Sequence, residues 1–350
     1  MVKPVVLAPN LIDHFYLGGD RIAALRGIQT TSARQPEEWL AATVSRADEE
    51  MIGLSRTESG ELLRDLVSDD PASWTGPEQA AASNDADVGV LVKLLDAGQR
   101  LPVHAHPDRS FARSHLDCPY GKTESWLVLG SEPGAAVHLG WNTDIDAEEL
   151  ARRRDTQDGD WMLGHMNRVE VARGMGILVP AGTVHAIDAG VFVIEVQEPT
   201  DFSIVLEWSI TTSTREESHL GIGFDAAMQA VSTMALPHSR LDRLVVRNDL
   251  AVRHAEAKSV LPVDADPFFT LHHVAPVPGS TNRIDSGFAV VLVLSGNARL
   301  VGAHESIHVS SGQVLAVPHA FGAWDVDGDA SVLVGAPGFG WPASLRQEQR

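Results

Sequence analysis

The hydrophobic positions of this chain fall into two series of short runs. The first series covers residues 88–95, 101–106, 124–129, 135–139, 168–172, 176–179, 191–197 and 203–210. The second series covers residues 243–246, 268–274, 287–294, 297–301, 305–309, 313–317 and 331–335. Short runs rich in β-branched residues and separated by Gly, Pro, Asn and Asp are typical of antiparallel strands in a sandwich or barrel. The pattern therefore predicts an all-β protein.

A few segments carry a helical pattern instead. They cover residues 21–26, 61–67, 147–154 and 224–234. The last one ends before Pro237, and strand-like runs resume after it. We therefore predict two β domains, residues 1–238 with an N-terminal extension and helical insertions, and residues 239–350.

The composition excludes several classes of protein. The 350 residues are 44% hydrophobic and 21% charged, which is ordinary for a globular protein. The longest apolar run, 288–294, is far shorter than the roughly 20 residues of a membrane-spanning helix. A net charge of −20 repels nucleic acid and anionic lipid, so neither is an expected partner. The single cysteine, Cys118, and the lack of a secretory signal pattern indicate a cytoplasmic protein.

Four residues of the first domain have the types and placement of metal ligands. His104 and His106 are two positions apart in a predicted strand, so their imidazoles lie on one face. Glu124 begins the next predicted strand, and His185 follows a Pro-Ala-Gly turn. Three imidazoles and one carboxylate suit a borderline divalent ion such as Zn²⁺, Mn²⁺, Fe²⁺ or Ni²⁺, with coordination positions left open.

Glycine and proline occur at fixed intervals from these ligands. Five residues separate Gly98 from His104, and five separate Glu124 from Gly130. Five also separate Gly174 from the segment 180–185, which ends in His185. The two half-motifs resemble the paired signatures of the cupin superfamily, a double-sheet, jelly-roll-like barrel with a metal in its mouth.

The second domain repeats part of this pattern without its ligands. Five residues separate Gly312 from Pro318, but no histidine follows at the ligand position. The resemblance therefore implies two cupin barrels, with the metal site in the N-terminal one and a degenerate, metal-free C-terminal one.

Further motifs resemble the type I mannose-6-phosphate isomerases in their short bacterial form. They cover residues 7–10, 18–21, 36–39, 92–97, 103–108, 121–126, 179–186 and 195–201, in the order that the family has them. The resemblance implies a metal-dependent aldose–ketose isomerase, with Zn²⁺ as the first metal to expect and Mn²⁺ or Fe²⁺ as alternatives. Its reaction would convert mannose 6-phosphate to fructose 6-phosphate through an enediol(ate).

Three polar residues are candidates for the chemistry beside the metal. Lys122 lies two residues before Glu124, so on a continuous strand it shares the ligands' face, and a desolvated lysine there could move a proton. By family position, Lys93 would orient a substrate hydroxyl or phosphate. Asp201 would accept a hydrogen bond or relay a proton, although an aspartate after a proline also fits a turn cap.

Two positions depart from the family pattern. His104 stands where the family has Gln, which gives a ligand set closer to that of oxygenase-type cupins. Val205, four residues after Asp201, stands where the family has an arginine that contacts the substrate; Arg215 could replace some of that charge.

These departures keep two alternatives open: an isomerase of an unphosphorylated or differently substituted sugar, and an Fe²⁺ or Mn²⁺ oxygenase. A non-catalytic sugar sensor is disfavoured because the ligands and the lysine are all present. For the isomerase the partner is a small sugar or sugar phosphate, and we expect a monomer or a homodimer.

Overall fold

The computed structural model describes residues 2–46, 49–83, 86–280 and 282–346. Within these ranges the fold is mostly β, with three antiparallel sheets, as the hydrophobic pattern predicts. The central sheet contains, in spatial order, Val245–Arg247, Met175–Val179, Glu124–Ser131, Val191–Gln197, Leu91–Asp96, Glu37–Leu40 and Leu11–Ile12. The small sheet contains Ile204–Val205, His104–Ala105, His185–Ile187, Ala136–Trp141 and Met166–Glu170. The C-terminal sheet contains Val5–Val6, Val314–Val317, Ala289–Val301, Asp325–Pro337, Phe269–Val274 and Lys258–Ser259, with Ser306–Ser310 paired to Ala289–Val301.

The helices are short and connect or cover these sheets. The α-helices of the described ranges are Arg21–Arg26, Leu63–Asp69, Pro71–Thr75, Pro77–Ala80, Arg109–His115, Ala147–Asp155, Gly159–Gly164, Phe224–Ala227 and His238–Leu241. The 3₁₀ turns are Glu216–His219, Met228–Ala230, Asp242–Leu244, Val263–Ala265, His319–Phe321 and Ala343–Arg346. None of the helices in the described ranges is long and apolar enough to cross a membrane.

Several predicted strands and helices have different bounds in the structure. The strand predicted over 203–210 ends at Val205. Beyond it the Val103 amide donates to the Glu207 carboxylate at 3.2 Å and not to a backbone carbonyl. The runs 287–294 and 297–301 form one strand, Ala289–Val301, with an irregularity after Val293 that keeps Gly296 at a φ of +81°. The helix predicted over 224–234 has only one turn, followed by a 3₁₀ turn.

Short strands pair across the predicted domain boundary at residue 238. Val5–Val6 pairs with Val314–Val317 in the C-terminal sheet, and Val245–Arg247 pairs with Met175–Val179 in the central sheet. One hydrophobic core runs from Leu7 to Leu333 and contains residues of both predicted domains. The two halves therefore share sheets as well as a core, and the boundary itself stays a prediction.

The central and small sheets face each other across part of that core. Trp126 of the central sheet and Leu139 and Ile187 of the small sheet belong to one buried cluster. The other face of the small sheet packs against Ala147–Asp155 and Gly159–Gly164 through a separate apolar cluster. Because both faces of the small sheet are covered, its His104–Ala105 and His185–Ile187 strands are held firmly against the central sheet.

The backbone at Gly98, the glycine that precedes the His-x-His motif, leaves no room for a side chain. A Cβ there would lie 2.2 Å from the carbonyl oxygen of Gly18, which is backbone and cannot rotate away. We expect Gly98→Ala to lower the free energy of unfolding by about 1–3 kcal/mol. Gly164→Ala is the matched control, because a Cβ there meets no atom within 4 Å and its φ is ordinary. Equal denaturation midpoints for the two variants would contradict this prediction.

Candidate active site

The sequence-predicted ligands converge where the central and small sheets meet. His104 and His185 are directly opposite each other on neighbouring strands of the small sheet. Glu124 is the first residue of a strand in the central sheet, and His106 directly follows the His104–Ala105 strand. Hydrogen-bond pairing thus sets His104 against His185, and sheet packing brings Glu124 to them.

The three histidines are oriented by backbone carbonyls. The Nδ1 atoms of His104, His106 and His185 lie 2.8, 2.6 and 2.8 Å from the carbonyl oxygens of Pro102, Phe202 and Thr183 respectively. A carbonyl only accepts, so each Nδ1 carries the proton and each Nε2 presents a lone pair. The three rings gather their ligand atoms within 4.8 Å of one another.

Glu124 completes a group of buried acceptors that need a cation. Its carboxylate oxygens lie 3.0 Å from Nε2 of His106 and 3.2 Å from Nε2 of His185. Glu124 Oε2 and His185 Nε2 are nevertheless buried without a hydrogen-bond donor. Burying such acceptors unpaired is costly, and a divalent ion among them would satisfy all of them at once. These residues therefore fit a metal ion.

The protonation states agree with metal binding. Burial, reinforced by Lys122, lowers the pKa of His106 to about 3, and burial together with the neighbouring imidazoles holds the pKa of His104 well below its usual value. Both rings stay neutral at pH 7, which is the form that coordinates a metal.

Lys122 lies directly beside the ligands. Its Nζ is 3.2 Å from His106 Nε2 and 3.3 Å from Glu124 Oε2, and the residue is only 5% exposed. The strand begins at Glu124, so Lys122 lies in the preceding loop and not on a continuous strand with Glu124. Its amide donates to the Pro107 carbonyl. The preceding Gly121 has to be glycine, since a Cβ would lie about 2.6 Å from the backbone of Asp108.

A buried ion pair fastens the loops around these residues. Arg109 donates to Glu198 at 2.5 Å and to the carbonyl of Ser344 at 3.0 Å. The second oxygen of Glu198 accepts the amide of Thr123, one residue before Glu124. The C-terminal segment is thereby tied to the strand that begins the site.

Lys93 and Asp201 form a second polar group on the same wall. Lys93 Nζ lies 3.4 Å from Glu37, 3.6 Å from Asp201 and 4.5 Å above the ring of Trp39. Burial alone would lower the pKa of Lys93, but the surrounding carboxylates outweigh it and raise that pKa above its usual value. Lys93 is therefore a fixed positive charge beside Asp201.

Sequence reasoning missed the acids that hold this lysine. Glu37 accepts from the Tyr16 hydroxyl and from Trp39 Nε1, and its pKa lies below its usual range because Lys93 and His14 outweigh the effect of burial. Glu195, opposite Lys93 on the neighbouring strand, has a pKa well above its usual value because of burial and the Glu124 charge. The sequence did offer a signal for these two acids, because Glu37 and Glu195 are charged residues inside β-rich motifs, where buried positions are usually apolar.

A cavity of about 800 Å³ opens onto these groups. Its lining includes His104, Lys122, Lys93 and Asp201 together with one unforeseen arginine, Arg46. Val205, at the position where the arginine of the family pattern is missing, is also part of the wall.

Arg215, the sequence candidate for replacing that charge, is not part of the cavity lining. Its guanidinium lies 3.5 Å from Asp155 and 5.0 Å above the ring of Phe224. The structure does not bring this residue together with the other candidates.

Known proteins with similar sequences match most of the chain. A probable mannose-6-phosphate isomerase of Bacillus subtilis is 25% identical over 342 residues, which is 96% of this chain and 100% of that protein. The mannose-6-phosphate isomerase of Streptococcus mutans is 27% identical over 249 residues, covering 70% and 72% of the two chains. The chain matches no protein-family model.

Solved structures agree with this finding at the level of the fold. The crystal structure of the mannose 6-phosphate isomerase from Bacillus subtilis has a TM-score of 0.70 at 19% identity and covers 95% of this chain and 99% of its own. A mannose 6-phosphate isomerase bound with zinc and yttrium has a TM-score of 0.71 at 14% identity, with coverage of 97% and 100%. This chain is similar to the mannose-6-phosphate isomerases. The resemblance carried by the sequence motifs is confirmed.

The unpaired acceptors of Glu124 and His185 predict that the protein binds a divalent metal. We expect Zn²⁺ to raise the thermal midpoint of the metal-stripped protein, because a ligand that binds only the folded state stabilises it. Glu124→Ala should abolish both the shift and the metal content measured by elemental analysis. Glu170→Gln, at an exposed position on the edge of the small sheet, is the control and should keep both. Retention of metal by Glu124→Ala would exclude Glu124 as a ligand.

The buried Lys93–Glu37 pair predicts a pH-dependent stability. Glu37→Gln leaves a buried lysine short of one partner and should lower the free energy of unfolding at pH 7 by about 3 kcal/mol. Because the folded-state pKa of Glu37 is below its unfolded value of about 4.3, its contribution is present above that pH and is lost as the pH falls through the folded value. Urea titrations at successive pH values should show the gap between wild type and variant closing on acidification. A constant gap would contradict the pairing.

Proposed function

We propose that this protein is a metal-dependent aldose–ketose isomerase that interconverts mannose 6-phosphate and fructose 6-phosphate. The observation that carries the proposal is the convergence of three oriented imidazoles, one carboxylate and Lys122 at the inner end of a cavity. The substrate pair follows from the names of the relatives that match the chain along its length.

We propose His104, His106, Glu124 and His185 as the metal ligands and Zn²⁺ as the first metal to test. The donor set suits zinc, and a protein of the same fold has been solved with zinc. When bound, the ion supplies an electrophile that stabilises negative charge on a sugar oxygen.

The chain's own groups can move the proton between the two reacting carbons. Interconverting an aldose and a ketose transfers a proton between C1 and C2, so a base must lie beside both carbons. Lys122 is the candidate, because its amine lies at the ligand group and faces the cavity. Lys93 and Asp201 act together as a charged donor and an acceptor that orient the sugar hydroxyls.

The cavity wall beside these groups is apolar. Leu101, Ile187 and Trp126 line it next to the polar residues. Such a wall excludes water from the reacting carbons and strengthens the electrostatic interactions of Lys122.

We further propose that the fold consists of two cupin barrels, over residues 1–238 and 239–350, with the metal in the first. Two observations support this arrangement. The half-motifs lie on sheets that face each other, and the fold is similar to that of mannose 6-phosphate isomerase structures. The cytoplasmic location and the monomeric or dimeric state stay predictions.

Coupled detection of fructose 6-phosphate formed from mannose 6-phosphate, with and without a chelator, tests the proposed function. We expect metal-dependent turnover and a loss of roughly 10²-fold or more in kcat for Lys122→Met, with metal content retained. Lys258→Met, at an exposed lysine on the C-terminal sheet, should keep full activity. Metal-dependent oxygen consumption without isomerisation of any aldose would favour the oxygenase alternative.

A further inference from the structure

The outer half of the cavity carries an excess of negative charge. Eight carboxyl groups line the cavity in the described ranges, and seven remain when the buried Glu195, whose pKa is raised, is left out, against three lysine or arginine side chains. Four of the acids, Asp13, Glu49, Glu216 and Glu217, lie away from the ligands, and all four are at least partly exposed. They surround the path that a substrate follows to the inner end.

The cations of this wall are already held by groups of the chain itself. Arg46 donates to the Asp13 carbonyl at 2.6 Å and pairs with Glu49. Lys93 is enclosed by Glu37 and Asp201. A phosphate would therefore have to displace existing partners in order to gain a contact.

The third cation, Lys122, is also engaged, since it contacts His106 and Glu124 in the ligand group. Val205 adds only an apolar surface to this wall. Arg215 faces Asp155 instead of the cavity.

A sugar without a phosphate gains contacts from the same acidic wall. Its hydroxyl groups donate to carboxylates, and such charge-assisted hydrogen bonds are stronger than neutral ones. Ser203, Thr212 and Ser213 add further hydroxyl partners along the same wall. A dianionic phosphate, in contrast, enters a concave surface of its own sign, which lowers its local concentration.

We infer that the enzyme also isomerises the uncharged hexose pair, mannose and fructose, with a kcat/KM at least equal to that for the 6-phosphates. This further activity rests on the proposed isomerase function, since it uses the same ligands and Lys122. The acids Glu216 and Glu217 determine the preference by opposing the phosphate charge.

Steady-state kinetics of the metal-loaded, full-length protein on mannose and on mannose 6-phosphate test the inference. A higher kcat/KM for mannose 6-phosphate would overturn it while leaving the isomerase function intact. Turnover of neither sugar by the metal-loaded protein would instead overturn the proposed function itself.

The salt dependence of kcat/KM gives an independent test, because the charged and the uncharged substrate should respond differently. From about 10 mM to 150 mM salt the Debye length shortens from roughly 30 Å to about 8 Å. We expect kcat/KM for mannose 6-phosphate to rise several-fold over this range as repulsion is screened, while that for mannose stays constant. A fall for the phosphate would reveal net attraction, for example to Arg46, and would overturn the inference.

Charge removal at the mouth tests the residues involved. The double variant Glu216→Gln with Glu217→Gln should raise the ratio of kcat/KM for mannose 6-phosphate to that for mannose and should flatten the salt dependence. Glu170→Gln removes an exposed glutamate charge outside the cavity lining and should leave this ratio unchanged. An unchanged ratio in the double variant would overturn the assigned role of these acids.

Discussion

The backbone carbonyls that fix three imidazoles are the constraint on which the site depends. Each carbonyl fixes a proton on Nδ1, so His104, His106 and His185 all present a lone pair on Nε2, and the Nε2 atoms of His106 and His185 lie 3.0 and 3.2 Å from Glu124. The outcome is a group of acceptors in which Glu124 Oε2 and His185 Nε2 are buried without a hydrogen-bond donor, an arrangement that a bound cation would stabilise. The pairing of His104 with His185 and the position of the His106 loop all serve this convergence.

Buried charges around this centre are matched by charges of the opposite sign. Lys93 is balanced by Glu37 and Asp201, and Arg109 is balanced by Glu198. Breaking one partner of such a pair leaves an uncompensated charge in the core, so each pair restrains the elements that carry it. In this protein those elements are the strands and loops that position Asp201, Thr123 and the C-terminal segment.

The cavity therefore has two regions of different character. Its inner end combines neutral imidazoles, the fixed positive charge of Lys93, the amine of Lys122 and apolar walls, which suits proton transfer on a sugar carbon. Its outer part is acidic and accepts hydroxyl donors better than it accepts an anion. The chemistry and the substrate's distal substituent are thus governed by separate groups of residues.

Much of this site is local in the sequence. The alternation of a strand places His104 and His106 on one face, and the turn before His185 and the strand start at Glu124 depend on neighbouring residues only. The β-rich pattern and most strand positions are predictable for the same reason, because side-chain direction repeats every two residues.

Contacts between distant segments were decided only by the tertiary structure. Glu37 meets Lys93 because their strands are neighbours in the central sheet, and Arg46 rather than Arg215 reaches the cavity because of the path of a loop. The strand predicted over 203–210 ends early where the Glu207 side chain accepts the amide of Val103, 104 residues away in the chain. Periodicity and motif spacing thus determined the fold class and the four candidate ligands. The partners of each buried charge and the acidic character of the cavity depend on long-range packing, which no local pattern specifies.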